Sequence, residues 1–244
     1  MALSIKSALG RIISSNSVIN STYYKLFKPH QLSAYKDYKF SDEKLKFMHL
    51  MEAVNYCRVA LMPFTYFEFG CHSARTFSAV INAAKYFKME NMQFFAFDSF
   101  QGLPTTDVNE DGVFQTGEFA TPINEFLSKV KFRTGLKLNP QNIIEGYYSD
   151  SLTEDVQKRM PKVGMVHIDV DLYSSTKEVL NFIKPLLVVG TVILFDDYYC
   201  FPPDSQHGEM KALIEFCEEN PDFKVKEWKS YSTFGQSFFV ANCG

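Results

Sequence analysis

Apolar runs of strand length alternate with stretches of helical period along most of the 244-residue chain. Phe64-Thr-Tyr-Phe-Glu-Phe69 and Gln93-Phe-Phe-Ala-Phe97 are almost continuously apolar, and the first leads into a helical pattern over 74–87. The same reading predicts strands over 141–144, 163–168 and 191–195, with helices over 122–133, 152–160, 174–187 and 208–220. A long polar loop follows the second strand, around 105–117. Strands that alternate with helices build a parallel sheet covered on both faces. Near-continuous apolar strands are the kind buried on both sides. The last two runs, 223–229 and 237–241, have no helix between them, and Thr233-Phe-Gly-Gln236 reads as a hairpin turn. The final strand is therefore expected to run antiparallel.

Ahead of the first strand the pattern is weaker. About forty polar-aromatic residues read as irregular, with MALSIKSALGRIISS as a short surface helix, a partner-docking segment or a frayed arm. Ser41-Asp42-Glu43-Lys44 looks like a helix N-cap with an acidic first turn. Leu45, Met48, Leu50, Val54 and Val59 continue the helix until Pro63 stops it. The expected organisation is an N-terminal extension with a helix over 1–62 and one α/β domain over 63–244.

Composition adds mainly exclusions. The net charge is -3, and no block of Lys or Arg offers a surface for nucleic-acid phosphates. No apolar run approaches the roughly 18 residues of a membrane span. Five cysteines, odd in number and without a CxxC pair, predict free thiols in a reducing compartment, hence the cytoplasm.

Candidate chemistry collects at the strand ends, where open α/β sheets bind their ligands. The first strand ends Glu68-Phe-Gly70-Cys-His-Ser-Ala-Arg-Thr76, a small-residue turn entering a helix and able to approach a ligand closely. The second ends Asp98-Ser99, roughly 30 positions after the glycine turn, where an acid can take ribose hydroxyls. The third ends Glu145-Gly146-Tyr147-Tyr148-Ser149-Asp150; these polar groups could read a base edge or cap the next helix. The fourth ends Asp169-Val-Asp171, with both acids on one face if the segment stays extended, and the fifth ends Asp196-Asp197. Crowded carboxylates raise one another's pKa unless a cation neutralises them. Oxygen-only ligation suits a hard divalent ion such as Mg²⁺.

Taken together, FEFGCHSART, FDSFQGLP, GYYSDSL, HIDVDLYSST and VILFDDYYCF resemble the macrocin O-methyltransferase (TylF-like) family of class I SAM-dependent methyltransferases, from about Phe64 to about Glu219. Ala74-Arg75 departs from the family's usual glycine pair. The resemblance implies a single Rossmann-like domain, with a seven-stranded, mostly parallel sheet and an antiparallel last strand. It implies S-adenosylmethionine across the first strand ends, held by Glu68, Gly70, Thr76, Asp98 and Ser99, with Tyr147, Tyr148, Ser149 and Asp150 near the adenine. It further implies Mg²⁺ on Asp169, Asp196 and Asp197, with Asp169 also reaching the cofactor. The expected reaction is methyl transfer to one hydroxyl of a vicinal diol, on a sugar or natural product. Candidate bases are Glu118, Asp171 and His207, with Glu118 favoured because its loop can close as a lid. His167 reads as a structural residue of its strand, and Tyr198 to Gly208 as the acceptor wall. A homodimer is expected by analogy. The competing readings are an NAD(P)-dependent oxidoreductase, which lacks its G-x-G-x-x-G here, and a non-catalytic binding protein.

Overall fold

The computed structural model describes residues 29–104, 115–201 and 206–244, with side chains from residue 41 onward. The N-terminal run MALSIKSALGRIISS, most of the polar loop and positions 202–205 of the expected acceptor wall lie outside the described residues. Lys46–Gly244 packs as one compact unit, to which the following description applies.

Seven strands form one sheet: β1 Thr65–Phe69, β2 Gln93–Asp98, β3 Ile143–Glu145, β4 Met165–Ile168, β5 Val192–Phe195, β6 Phe223–Ser230 and β7 Gln236–Cys243. Their order is β3-β2-β1-β4-β5-β7-β6. The pairs β1–β2, β1–β4, β2–β3 and β4–β5 are parallel, while β7 inserts antiparallel between β5 and β6. The expected class and the antiparallel last strand are both present.

Helices cover both faces. They are α1 Pro29–Val59, α2 Arg75–Tyr86, α3 Ile123–Thr134, α4 Tyr148–Ser151, α5 Glu154–Lys158, α6 Tyr173–Ile183 and α7 Gly208–Glu219. All five residues of β1 are buried. Alternation sends Tyr66 toward one core, with Phe77, Phe126 and Leu50, and sends Phe67 and Phe69 toward the other, with Phe97, Phe182 and Phe195. Each such fully buried side chain contributes about 1.5–3 kcal/mol over its exposed state. The first core is closed by α1, α2 and α3, the second by α6 and α7.

Several boundaries differ from expectation. α1 begins at Pro29, not at a cap near Ser41. Proline is well placed at a first helical position, and no Gly or Pro interrupts the chain from there to Val59. Ser41-Asp42-Glu43 therefore sits inside the helix. Among the apolar positions read there, Leu50 and Val54 are buried, whereas Leu45, Met48 and Val59 are exposed. The helix expected over 152–160 is shorter: Thr153 caps α5 by accepting from the Val156 N–H, the helix ends at Lys158, and α4 is a separate turn before it. The run 140–142 is a 3-10 turn and β3 starts after it. β4 stops at Ile168, and Asp171 has φ 62, so Asp169 and Asp171 do not share an extended face.

Candidate active site

The ladder hydrogen bonds continue past the strand ends and align them. The Gly70 N–H donates to Phe97 O (3.0 Å), the Asp169 N–H to Phe69 O (2.9 Å), the Asp196 N–H to Ile168 O (2.9 Å) and the Gly146 N–H to Asp98 O (3.0 Å). The loops after all five parallel strands thereby open onto one cavity of about 370 Å³, within the usual range for small-molecule sites. At one end it meets Gly70, Asp98, Ser99, Gly146, Tyr147 and Tyr148. At the other it meets Asp169, Asp171 and Asp197, and Glu118 and Phe119 form part of its mouth.

Gly70 is fixed by two constraints. Its φ is +81, and a Cβ there would stand 1.7 Å from the Asp169 carbonyl oxygen. Only glycine lets the β1 turn pass that close to the end of β4. Ala74, in place of the family's glycine, is also left-handed, with φ 60 and ψ 27, immediately before α2. Asp98 ties the first turn to the second: one carboxylate oxygen accepts from the Cys71 and His72 N–H groups (2.6 and 3.0 Å), the other from the Phe100 N–H (2.6 Å). Glu68 is fully buried and accepts from Tyr66 Oη and Thr76 Oγ1. Burial, with a smaller push from Asp196, raises its pKa to about 8 against those two hydrogen bonds. Glu68 and Thr76 thus face each other beneath the turn and do not line the cavity. Ser149 and Asp150 are exposed members of α4, also outside the lining.

FDSFQGLP builds a tight turn after β2. Ser99 Oγ accepts from the Gln101 N–H (3.0 Å) and donates to Gly102 O (2.7 Å), closing a tight turn. Leu103 and the returning strand of the loop then exchange backbone bonds, Leu103 N–H to Glu118 O and Gly117 N–H to Leu103 O, both 3.0 Å. A Cβ on Gly102 would lie 2.5 Å from that Glu118 oxygen. His72 adds a second tie, its Nδ1 lying 2.7 Å from Phe119 O and 3.0 Å from Thr121 Oγ1.

The acids form two overlapping sets. Ligand atoms of Asp169, Asp171 and Asp197 lie within 4.8 Å of one another, and so do those of His167, Asp169 and Asp196. Asp169 belongs to both, while the neighbours Asp196 and Asp197 fall in different sets. Burial, then repulsion from Asp196, holds Asp169 well above the carboxylate range. Burial and the Asp196 and Asp171 charges do the same to Asp197. Asp171 is pushed up to about 7 by burial and by Asp169.

Asp196 differs. Burial would raise it, but nearby His167 and Lys46 outweigh that and hold it at about 2. Lys46 Nζ forms an ion pair with its Oδ2, and His167 Nε2 lies 3.6 Å from its Oδ1. His167 is completely buried and neither ring nitrogen has a hydrogen-bond partner; Asp196 Oδ1 also lacks one.

Lys46 and Glu209 were not foreseen. Lys46 opens the stripe Lys46, Leu50, Ala53, Val54 and Cys57 along α1, whose last four members are buried. The pattern marks a packed face but not where its first residue reaches. Glu209, at the start of α7, is fully buried and accepts from the Asp197 N–H (3.0 Å). Burial, then Asp197 and Asp169, raises its pKa far above normal. Of the expected bases, Asp171 lies among the acids. Glu118 sits at the mouth, where its carboxylate accepts from the Gln115 N–H (2.9 Å). His207 is exposed, stacks on Phe201 with centroids 5.6 Å apart, and is not among the described lining residues.

The carboxylate-rich donor set, with a buried acceptor oxygen still unpartnered on Asp196, fits a hard divalent cation. No disulfide joins the described cysteines, and no helix among the described residues is long and apolar enough to cross a membrane.

Among characterised proteins, a demethyldecarbamoylnovobiocin O-methyltransferase from Streptomyces niveus is 31% identical over 131 residues, 50% of this chain and 48% of that protein. A tetracenomycin-type rhamnosyl 4'-O-methyltransferase from Streptomyces olivaceus is 27% identical over 108 residues, 41% of this chain and 40% of that protein. The chain thus spans about half the length, or less, of these curated relatives. The solved O-methyltransferase NovP superposes with a TM-score of 0.65 at 20% identity, covering 81% of this chain and 80% of that one, which establishes the common fold. The model of the macrocin-O-methyltransferase (TylF) family matches residues 35–217, three quarters of the sequence, and the chain belongs to that family.

Proposed function

We propose that the protein is an S-adenosylmethionine-dependent O-methyltransferase that methylates a hydroxyl of a small sugar or natural-product acceptor carrying neighbouring oxygens. One observation carries this reading: a single cavity joins the Gly70–Asp98–Tyr147 turns to the Asp169–Asp171–Asp197 carboxylates. A cofactor site and an acid cluster thereby share one space. Family membership favours methyl transfer over hydride transfer.

When bound, S-adenosylmethionine supplies an electrophilic methyl group, and a divalent cation on Asp169 and Asp197, with Asp171 or Asp196, supplies Lewis-acid polarisation of the acceptor hydroxyl. The chain's own residues do the rest. Gly70 admits the cofactor backbone close to the sheet, and Asp98 Oδ1, with one N–H partner, keeps a lone pair for a ribose hydroxyl. Tyr147 and Tyr148 present aromatic surface beside Gly146 for a planar base. Asp171 is the base we favour over Glu118. Its left-handed backbone sets it beside Asp169 and Asp197, within reach of a hydroxyl polarised there, and its carboxylate can take the hydroxyl proton. Phe119 and Glu118, anchored through Gly102 and His72, restrict water at the mouth.

The test is methyl transfer from radiolabelled S-adenosylmethionine to a panel of glycosides and aromatic diols. We expect turnover with a vicinal diol, loss of about 10²-fold or more in Asp171→Asn, and little change in Glu118→Gln. Turnover of the Asp171 variant at the wild-type rate contradicts its role as base; no methylation of any diol contradicts the acceptor class.

A further inference from the structure

The acid cluster contains a cation supplied by the protein itself. Lys46 comes from α1, 150 positions before Asp196, and its ammonium is paired with Asp196 Oδ2. The lysine side chain is 20% exposed and the aspartate 10%, so the pair is largely desolvated while the lysine keeps a route to solvent. Other groups facing Asp196 are His167, which lacks any hydrogen-bond partner, and Asp169 and Asp197, which repel it. Asp169, Asp171 and Asp197 converge without needing Asp196. The fourth carboxylate is therefore the one the lysine holds.

Resting on the cation site of the proposed function, we propose that Lys46 is a built-in competitor that sets the affinity of this site, because a divalent ion gains Asp196 only when the Lys46 ammonium leaves it. Lys46 holds Asp196 Oδ2 and leaves only Oδ1 open, so a divalent ion on Oδ1 would sit across a single carboxylate from the ammonium, and like charges brought that close in a poorly solvated site repel strongly. Exchange keeps Asp196 neutralised: a singly charged ammonium leaves, a doubly charged ion replaces it, and the neighbouring Asp169 carboxyl can give up a proton to offset the extra charge. The long flexible lysine stem makes the departure possible without moving α1. Asp196, unlike the other three acids, thus remains neutralised before any ion arrives.

The experiment is titration of Mn²⁺ into the full chain, with free ion counted by electron paramagnetic resonance, for wild type, Lys46→Met, Lys46→Arg, Asp196→Asn and the Lys46→Met/Asp196→Asn double variant. Removing a competitor should tighten Mn²⁺ binding about tenfold in Lys46→Met, a coupling of ordinary size between ligands of one site. Arginine keeps the charge and should stay near wild type. The double variant should match Asp196→Asn alone, because the lysine acts through that carboxylate. Equal or weaker binding in Lys46→Met overturns the competitor while leaving the cation site standing. No Mn²⁺ binding in any variant overturns both. A second readout needs no variant: acetylation of Lys46 by an amine-reactive ester, followed by mass spectrometry, should rise when Mn²⁺ saturates the wild type. Unchanged labelling under saturation also overturns the proposal.

Discussion

Gly70 shows how much one residue can fix. Its positive φ and the Asp169 carbonyl 1.7 Å from any added Cβ mean that the first and fourth strand ends meet through a space without room for a methyl group. Gly70→Ala should therefore cost about 3 kcal/mol or more, combining left-handed strain with overpacking, and should abolish cofactor binding. Urea unfolding checks the first effect; a change below about 1 kcal/mol would show that the strand ends separate easily. The glycine was legible in the sequence because a strand ending in Gly before a small-residue turn has few other uses. The four aspartates were legible too, since acids at the tips of apolar strands have nowhere else to go. Their division of labour was not. Asp196 and Asp197 are neighbours in sequence, yet one pairs with Lys46 and the other with the Asp169–Asp171 set. No local pattern encodes a partner 150 positions away.

At the scale of elements, strand and helix periods located most of the sheet, because continuous apolar runs such as TVILF have only a central position open to them. The start of α1 was missed for a physical reason. Ser, Asp and Glu in series favour an N-cap but are also tolerated inside a helix when no Gly or Pro breaks it. The FDSFQGLP turn was recognised by resemblance alone, and the structure gives its mechanics. Gly102 lets the loop return onto Leu103, and His72 ties the same segment to the first turn. Gly102→Ala should displace that segment, since its φ of +88 and the Glu118 oxygen at 2.5 Å both oppose a side chain. The expected result is a tenfold or larger rise in KM for S-adenosylmethionine, on the order of 1.4 kcal/mol of binding, with a melting temperature within a few degrees of wild type. A KM unchanged in this variant would separate the Gly102 turn from cofactor capture.

The whole molecule gathers an unusual number of buried acids on one sheet edge, and this predicts its response to pH. Glu68 at about 8, Asp171 at about 7, and Asp169, Asp197 and Glu209 well above normal all hold protons more tightly folded than unfolded. As pH rises from the ordinary carboxylate range toward 8, the unfolded chain gives up those protons first, so stability falls. Asp196, held at about 2, acts oppositely: its contribution is present above its unfolded value and is lost only in strong acid. The chelator-treated protein should thus melt at progressively lower temperature from pH 5 to pH 8, and saturating Mg²⁺ should flatten that slope. Glu68→Gln should remove one group's share, up to about 1.4 kcal/mol per pH unit. A melting temperature that climbs across this window in the chelated protein contradicts the assignment of these acids as protonated.

On the proposed function, the strand-end cavity takes S-adenosylmethionine beside an acid cluster. Isothermal titration of S-adenosylmethionine into wild type and Asp98→Asn tests it most directly. One cofactor per chain should bind the wild type with micromolar affinity, about the scale on which enzymes meet small substrates, and the Asp98 variant should bind at least tenfold more weakly. No heat with S-adenosylmethionine, together with saturable heat from NAD, would contradict the account at its root.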